Sequence, residues 1–421
     1  MVLTVTAVLG RFRGDILFTL GILLTSGVAF IGNLVAARYL LPDELGILQT
    51  LMLLPTYCMF LQFGVFNGLN RNIAFCLGRG DSTKVQVMVD SSWRTAKVVA
   101  LAGMVISLAA VAYYSFSSYP KLYLWGMIFV LLTLVAEPFS QHLEVVYLSS
   151  RSFRPLGVRL LWQNLFNFFG NLLPAVGGAF GFIAARSVYV LSRLALRWAG
   201  VPIRARGGGC FEAIRDLAAT GMPLLVAGTL YAFLGVADRS VIACYMTPKD
   251  VGQFALAGLV VTGIQFLPQC LATLLYPRIS ACYGKTGSSR QLRRYFWILL
   301  GLNICVVLPM CLATYFLVGP LTERYLPKYV EGIPAAKVAC LSSLAFIYIG
   351  VAAIIAVVRR NTPYIMAILV SLILVWLLGG YLVQHGYGIM GAVWARAIAT
   401  ALLCGFTIGF AYWLTTKEIA P

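Results

Sequence analysis

The sequence predicts an all-α polytopic membrane protein in which twelve transmembrane helices form two parallel six-helix bundles around a central cavity. Three observations support this fold class: an apolar, weakly charged composition, twelve apolar runs of membrane-spanning length, and a short turn segment that occurs twice. Hydrophobic residues make up 60% of the 421 residues and charged residues only 11%, whereas a soluble domain is about 25% charged. Most of the chain is therefore expected to lie in a membrane.

Apolar runs follow one another along the whole chain. A transmembrane helix needs about 20 mainly apolar residues. The predicted spans cover residues 16–37, 45–67, 95–115, 122–148, 158–178, 181–199, 219–246, 251–276, 294–316, 335–358, 362–384 and 388–414. Arg11, Arg13 and Asp15 precede the first run, which continues for a full span, so we expect an uncleaved first helix rather than a secretory leader.

The distribution of charge predicts the orientation of these spans. The chain has 32 lysines and arginines against 14 acidic residues. Such an excess can indicate nucleic-acid binding, but in a membrane protein it is typical of cytoplasmic loops. With both termini in the cytoplasm, basic residues favour the inner segments over the outer ones by roughly three to one. We therefore expect cytoplasmic termini and no nucleic-acid partner.

A short segment occurs twice, at residues 37–50 and 243–256. An offset of 206 aligns Pro42 with Pro248 and Gly46 with Gly252. Each copy lies between two apolar runs, and a proline followed by acidic residues ends one helix and caps the N-terminus of the next. Each copy is therefore predicted to be the tight outer turn of a helical hairpin.

A basic linker separates two six-helix halves. Residues 204–216 contain three consecutive glycines, 207–209, and are predicted to form a flexible cytoplasmic loop. The predicted domains are an N-terminal six-helix bundle at 1–205 and a C-terminal one at 206–421. An even number of helices returns each half to the same side, so the repeats are parallel, with substrate sites expected at their interface.

Motifs for catalysis, metals and cofactors are not found in the sequence. The ten cysteines are scattered without a CxxC pair or a Cys/His cluster, so we expect no metal site, disulfide framework or cofactor. Gly284-Lys285-Thr286 matches the end of a phosphate-binding loop, but Ile279 occupies the position of its first glycine. Segments outside the spans reach only roughly thirty residues, too few for a soluble catalytic domain, so we do not expect an enzyme.

Short patterns in both halves resemble those of a known transporter family. They are Ala37–Gly46, Phe63-Gly64, Arg71–Ala74, Met222–Leu225, Asp238-Arg239, Pro248–Gly252, Tyr276–Ser280 and Arg359–Asn361. Their order and spacing resemble those of polysaccharide (Wzx-type O-antigen) flippases, which are members of the multidrug/oligosaccharidyl-lipid/polysaccharide exporter superfamily. The likeness covers nearly the whole chain.

The resemblance implies a flippase that moves an undecaprenyl-diphosphate-linked oligosaccharide, an O-antigen or exopolysaccharide repeat unit, to the outer leaflet of the bacterial cytoplasmic (inner) membrane by alternating access. The implied partners are this lipid, membrane lipids and other membrane proteins of polysaccharide assembly. Two alternatives stay open: a cation-coupled multidrug exporter, which would favour acidic cavity groups, and a peptidoglycan-precursor flippase, whose family usually has fourteen spans. A glycan polymerase would need a larger outer loop than residues 317–334.

Arginines in or near the spans are candidates for contact with the diphosphate. Arg186 and Arg396 each end a G-x-x-x-A-R pattern, in the sixth and twelfth spans. An arginine at the centre of a span costs about 2.5–3.5 kcal/mol to insert and normally faces a cavity or a partner. The alternative for Arg186 is that it reaches the outer interface. Arg71 and Arg278 end the second helix of each half, where they would capture the diphosphate or anchor lipid headgroups.

A stripe of arginines follows one face of the sixth span. Arg193 and Arg197 each lie within about 20° of Arg186 around the helix. The stripe would line an inward-open vestibule. Alternatively, Arg193 and Arg197 form only the basic cytoplasmic flank of the span.

Three carboxylates are candidates for ion coupling. Glu137 and Glu144 share one face of the fourth span with Gln141, and Pro138 can kink this helix. A carboxyl group in a membrane cavity can take up and release a proton. Asp238 in the seventh span is the third candidate. For Asp238 and its neighbour Arg239, pairing with nearby helices is the structural alternative, and for Glu144 it is a loop position.

Three asparagines fall on one face of the fifth span, at positions 164, 167 and 171. Trp162, Phe168 and Phe169 surround them. An amide stripe beside aromatic rings suits sugar hydroxyls and ring faces, so Asn164, Asn167 and Asn171 are candidates for sugar binding. Hydrogen bonding between helices is the alternative.

Overall fold

The structure is a computed structural model that describes residues 2–78, 80–150, 152–286, 289–358 and 361–416. The side chains of residues 2–16, 74, 78 and 356, and of most residues between 273 and 289, are outside this description. Helix accounts for 92% of the structure, and no β-strand occurs in the described ranges. The predicted all-α class is confirmed.

Eight α-helices precede the linker in the described part of the chain. They are α1 (Val2–Tyr39), α2 (Pro42–Leu51), α3 (Leu53–Cys58), α4 (Val65–Gly78), α5 (Ser82–Phe116), α6 (Lys121–Ser149), α7 (Phe153–Gly170) and α8 (Pro174–Trp198). A 3₁₀ segment, Met59–Gln62, follows α3. It ends at Phe63, a non-glycine residue in the left-handed region with φ 45°, so the second predicted span is broken before α4 begins.

Seven α-helices follow the linker in the described residues. They are α9 (Phe211–Tyr245), α10 (Pro248–Thr286), α11 (Arg293–Tyr325), α12 (Ile333–Ser342), α13 (Tyr348–Val358), α14 (Asn361–Leu382) and α15 (Gly388–Thr416). Short 3₁₀ segments at Ser289–Leu292, Pro327–Gly332 and Ser343–Ile347 connect some of them. A wide turn of π-helix, Val383–Tyr387, separates α14 from α15.

The helices match the twelve predicted spans. Ten stretches of the described chain are long and apolar enough to cross a membrane. The last stretch, Asn361–Thr416, contains both α14 and α15. Helix α7 corresponds to the predicted fifth span but is not one of the ten, because arginines, a glutamine and asparagines lower its hydropathy. Adding α7 and separating α14 from α15 recovers the predicted twelve spans.

Contacts between residues divide the chain into two compact units. Unit 1 consists of Met1–Leu40 and Leu51–Thr229, and unit 2 of Leu41–Thr50 and Leu230–Pro421. The predicted domains, 1–205 and 206–421, follow the duplication in the sequence and stay a prediction. Helix α9 begins in unit 1 and ends in unit 2.

Each unit has its own apolar core. In unit 1, Leu69 and Ile73 of α4 pack in one buried cluster with Leu217 of α9. In unit 2, the cluster around Phe254 and Val393 joins residues from α9, α10, α12 and α15. These four helices also carry most of the polar side chains of the candidate site, so the apolar cluster of unit 2 determines where those side chains lie.

The linker is bound to α5 instead of forming the predicted flexible loop. The carboxylate of Asp90 accepts hydrogen bonds from the backbone N–H groups of Arg206 and Gly208. Ser91 Oγ accepts from Cys210 N at 3.1 Å and donates to Cys210 O at 3.3 Å. The run of glycines permits this approach: a Cβ atom on Gly209 would lie 2.7 Å from the backbone of Ser91. The composition of the linker predicted a flexible loop, because composition does not show that Asp90 of α5 lies close enough to accept hydrogen bonds from it.

The duplicated segments form the predicted turns. Pro42 begins α2 and Pro248 begins α10. Glu44 accepts a hydrogen bond from the N–H of Leu41 at 2.9 Å, and Asp250 accepts one from the N–H of Thr247 at 3.0 Å. In both copies the acidic side chain therefore reaches back to satisfy a free N–H group at the start of its helix.

The two turns also pack against each other within unit 2. A Cβ atom on Gly46 would overlap the carbonyl oxygen of Pro248, and one on Gly252 would overlap the carbonyl oxygen of Pro42. The contact is reciprocal, as expected of two copies of one segment related by a twofold axis. Glycine is required at both positions because the backbones touch.

We predict that Gly46→Ala and Gly252→Ala each destabilise the protein by about 1–3 kcal/mol, because the added methyl group forces the two turns apart. Thermal unfolding in detergent measures the loss. The control is Gly409→Ala in α15, where a Cβ atom would meet nothing within 4 Å and where helix propensity favours alanine. Equal melting temperatures for all three variants would contradict the reciprocal contact.

Candidate functional site

A buried ion pair joins the last helix of unit 2 to α9. Nη1 of Arg396 lies 2.7 Å from Oδ2 of Asp238, and it also donates to the carbonyl oxygen of Gly235 at 3.1 Å. The two side chains are only 11% and 3% exposed. Charges removed from water need partners of this kind. From the sequence, Arg396 was a candidate for contact with the diphosphate and Asp238 a candidate for ion coupling. The structure brings the two side chains together.

A pocket of about 120 Å³ lies beside this pair, within unit 2. Its polar lining includes Tyr231, Asp238, Arg239, Gln265, Tyr348 and Arg396. The charged lining residues are thus two arginines and one aspartate. Since Arg396 pairs with Asp238, the pocket carries a net charge of about +1, contributed by Arg239.

From the sequence, Arg239 was named only as the neighbour of Asp238. Its packing shows that its charge belongs to the pocket. Its guanidinium lies beside Gly258 of α10, where the absence of a side chain leaves room for it. The neighbouring Asp238 uses its other oxygen, Oδ1, to accept a hydrogen bond from the backbone N–H of Arg239. The only sequence signal was a pair of opposite charges deep in an apolar span.

The duplicated arginine of unit 1 has a corresponding partner. Nη2 of Arg186 in α8 donates to Oδ1 of Asn33 in α1 at 2.7 Å, and its guanidinium lies 5.0 Å from the ring centre of Phe182. In each half, therefore, the arginine of the G-x-x-x-A-R pattern bonds a polar side chain on the first helix of that half. The partner is a neutral amide in the first half and a carboxylate in the second.

Helices α6 and α8 of unit 1 are joined by a network of four charges. Arg193 donates through both terminal nitrogens to Glu137, each at 2.9 Å, and Arg197 lies 2.9 Å from Glu144. Arg193 also lies 3.8 Å from Glu144. The amide nitrogen of Gln141 donates to Glu137 at 3.2 Å. The predicted common face of α6 is therefore present, and it is turned towards α8.

This network adds carboxylate partners to the arginine stripe, and both alternatives for the location of the stripe stay predictions. The sequence placed Arg193 and Arg197 in a vestibule or on the cytoplasmic flank, and the structure engages both of them with carboxylates. Periodicity shows which residues share a face of α8, but it does not show which helix lies against that face. Roles in coupling for Glu137, Glu144 and Asp238 stay predictions.

The asparagines of α7 bind the backbone of α1. The amide nitrogen of Asn164 donates to the carbonyl oxygen of Gly21 at 2.9 Å, and that of Asn171 donates to Val28 O at 3.1 Å. Asn164, Asn167 and Asn171 are all buried. These contacts are hydrogen bonds between helices, the structural alternative given above, and sugar binding by these residues stays a prediction.

The remaining arginine pair is only half described. Arg71 lies exposed in α4. The side chain of Arg278 lies outside the described residues. Their predicted roles at the cytoplasmic mouth stay predictions.

Solved structures of transporters share this fold. An inward-facing multidrug resistance MATE family transporter of the MOP superfamily has a TM-score of 0.74 at 11% identity, covering 93% of this chain and 94% of that one. The lipid II flippase MurJ, in an inward closed conformation, has a TM-score of 0.72 at 11% identity, covering 95% of this chain and 90% of that one. A MOP superfamily transporter from Pyrococcus furiosus, whose binding pocket of reverse polarity suggests a different function, has a TM-score of 0.67 at 12% identity, covering 96% of each chain.

These likenesses define a class of fold. The chain is a multi-pass membrane protein with the fold of MOP superfamily transporters, twelve helices in two bundles, as the sequence predicted. No protein-family profile and no curated protein matches the sequence. The same fold occurs in multidrug transporters and in a lipid flippase, so the substrate has to be argued from the chemistry of the site.

We predict that Arg193→Met destabilises unit 1 by roughly 3 kcal/mol, because it leaves the carboxylate of Glu137, 28% exposed, without a counter-charge. Adding Glu137→Gln to Arg193→Met should recover most of the lost stability, since a neutral amide at this position needs no counter-charge. Lys84→Met is the control, because Lys84 and its partner Asp81 are 72% and 37% exposed and such pairs contribute about 0–1 kcal/mol. Thermal unfolding in detergent measures all three, and a harmless Arg193→Met would refute a structural network.

Proposed function

We propose that the protein moves a lipid with an anionic diphosphate headgroup, an undecaprenyl-diphosphate-linked oligosaccharide, from the cytoplasmic to the outer leaflet of the bacterial cytoplasmic membrane. The observation that carries the proposal is the charge of the pocket in unit 2, where two arginines face one aspartate. The hydrocarbon layer, about 30 Å thick, excludes a diphosphate, and arginine binds phosphate oxygens through paired hydrogen bonds. A net positive pocket therefore suits the phosphate groups of this cargo.

The sign of the charge weighs against a cation-coupled multidrug exporter. Such a protein would need a carboxylate free to meet a positively charged drug molecule. Here Asp238 is engaged by Arg396, Glu137 by Arg193, and Glu144 by Arg197. A positively charged drug would meet arginine in each place.

A peptidoglycan-precursor flippase is the second candidate, because its cargo also carries a diphosphate. The fold shared with the lipid II flippase favours it. The resemblance to polysaccharide flippases in sequence order, and twelve spans rather than fourteen, favour the polysaccharide cargo. The two candidates differ in the sugar, which a transport assay separates directly.

The individual roles follow from this proposal. Arg396 and Arg186 handle the phosphate groups, and Arg71 and Arg278 capture the headgroup at the cytoplasmic side. The three asparagines of α7 contact sugar, and Glu137, Glu144 and Asp238 serve coupling. Both termini are cytoplasmic, and the partners are the lipid-linked oligosaccharide, bulk lipids and other membrane proteins of polysaccharide assembly.

Transport is tested with purified protein in liposomes that contain a fluorescent undecaprenyl-diphosphate oligosaccharide. Protein should speed its movement between leaflets, measured as the loss of protection from a quencher that does not cross the membrane. A lipid II analogue tests the second candidate, and efflux of the cation ethidium tests the multidrug exporter. Movement of ethidium without movement of either lipid would refute the proposal.

We predict that Arg396→Gln combined with Asp238→Asn lowers lipid transport at least about tenfold, because a charged hydrogen bond to phosphate is worth about 1.5–3 kcal/mol. The double variant removes the ion pair and leaves the net charge of the pocket unchanged. Arg396→Gln alone is a poor test, since it leaves a buried carboxylate unpaired and should lower the amount of folded protein. If the folded double variant transported lipid normally, the role of Arg396 would be limited to neutralising the charge of Asp238.

A further inference from the structure

We propose that the pocket of unit 2 is a binding site for one small inorganic anion, held between the guanidinium groups of Arg239 and Arg396. The inference goes beyond the proposed cargo, because it concerns a free ion and holds whichever lipid is transported. Four observations carry it: the unpaired charge of Arg239, the direction of its side chain, the donors around it, and the size of the pocket.

The charge of Arg239 is not balanced by the protein. Among the described residues no carboxylate forms an ion pair with it, and its buried Nε atom has no hydrogen-bond partner. The carboxylate next to it in sequence, Asp238, binds Arg396 instead. A charge that is largely removed from water and has no ion-pair partner is costly, so we expect the protein to bind an anion there.

The side chain of Arg239 extends away from the turn between α9 and α10. Arg239 lies six residues before the end of α9 at Tyr245, and Gly258 lies ten residues after the start of α10 at Pro248. At 1.5 Å per residue these positions are about 9 Å and 15 Å from the turn between the helices. Nη2 of Arg239 lies 3.3 Å from the position of a Cβ atom on Gly258. The guanidinium therefore points deeper into the bundle than its own backbone.

Neutral donors complete the site. The amide nitrogen of Gln265 donates to the hydroxyl oxygen of Tyr231 at 3.1 Å, and the hydroxyl-bearing Tyr348 lies in the same lining. All three residues line the pocket with the two arginines. Hydroxyl and guanidinium donors around one cavity match the acceptor character of an anion, and Asp238, the only carboxylate among the described lining residues, is already engaged.

The pocket has the size of a hydrated ion. A volume of about 120 Å³ holds several groups the size of water. It is smaller than the roughly 300–1,000 Å³ of sites for drug-sized molecules. One chloride or one phosphate ion with a few waters fits, whereas an oligosaccharide does not.

The test uses the purified full-length protein in detergent, in sodium gluconate at constant ionic strength. Binding of radiolabelled inorganic phosphate is measured at equilibrium, with chloride as a competitor, and thermal unfolding is followed in the same titrations. We expect saturable binding of one ion per chain with a rise in melting temperature. Absence of saturable binding by both ions would overturn the proposal.

Variants assign the site to Arg239. Arg239→Gln should weaken anion binding at least about tenfold, and Arg239→Lys should retain it, because the charge remains. Tyr231→Phe keeps all charges and removes one donor, so it should weaken binding moderately even if Arg239→Gln does not fold. Arg324→Gln is the control, because Arg324 lies exposed at the end of α11 and its loss should leave binding unchanged. Equal binding by wild type, Arg239→Gln and Tyr231→Phe would overturn the assignment.

A last arm separates a free ion from the phosphate of a lipid. If polyprenyl diphosphate raises the melting temperature of the wild type but phosphate and chloride have no effect, the pocket belongs to the lipid and the free-ion proposal fails. If the inorganic ions bind and no lipid is transported in liposomes, the free-ion proposal stands and the proposed flippase function fails.

Discussion

The cost of placing charge in a membrane governs this structure. Arginines and carboxylates within apolar helices are stable only when a partner lies close by. In unit 1 the partners join α6 to α8, and in unit 2 they join α9 to α15. Helices that are not consecutive in the chain are thus held in register by ion pairs. The apolar clusters around them set the distance between the helices.

Both halves solve this problem with the same arrangement. The arginine of the G-x-x-x-A-R pattern contacts the first helix of its half, through Asn33 in one case and Asp238 in the other. Position 239 corresponds to position 33 under the offset that relates the turns. The second half thus has Arg239 at the position where the first half has the amide of Asn33. The carboxylate of the second half, Asp238, lies one residue earlier. The duplication preserved the geometry and redistributed the charge.

The sequence was sufficient to predict the helices, but it was insufficient to predict which side chains bind one another between helices. Hydropathy located twelve spans, including α7, whose polar residues keep it out of the most apolar set. The turn at Pro248 was predictable because proline and an acidic residue act locally. The bond between Arg396 and Asp238 joins residues 158 positions apart, and no local rule carries such information. The same holds for Asp90, whose hydrogen bonds to the linker depend on the position of α5.

The unpaired guanidinium of Arg239 has an electrical consequence. A transmembrane potential acts on an uncompensated charge with about 2.3 kcal/mol per elementary charge for each 100 mV that the charge traverses, whereas it acts only weakly on a neutral ion pair. The energy of unit 2 therefore depends on membrane voltage through Arg239 far more than through Arg396 and Asp238. The anion proposed beside Arg239 would cancel that dependence, so its occupancy of the pocket would set how strongly voltage acts on this charge.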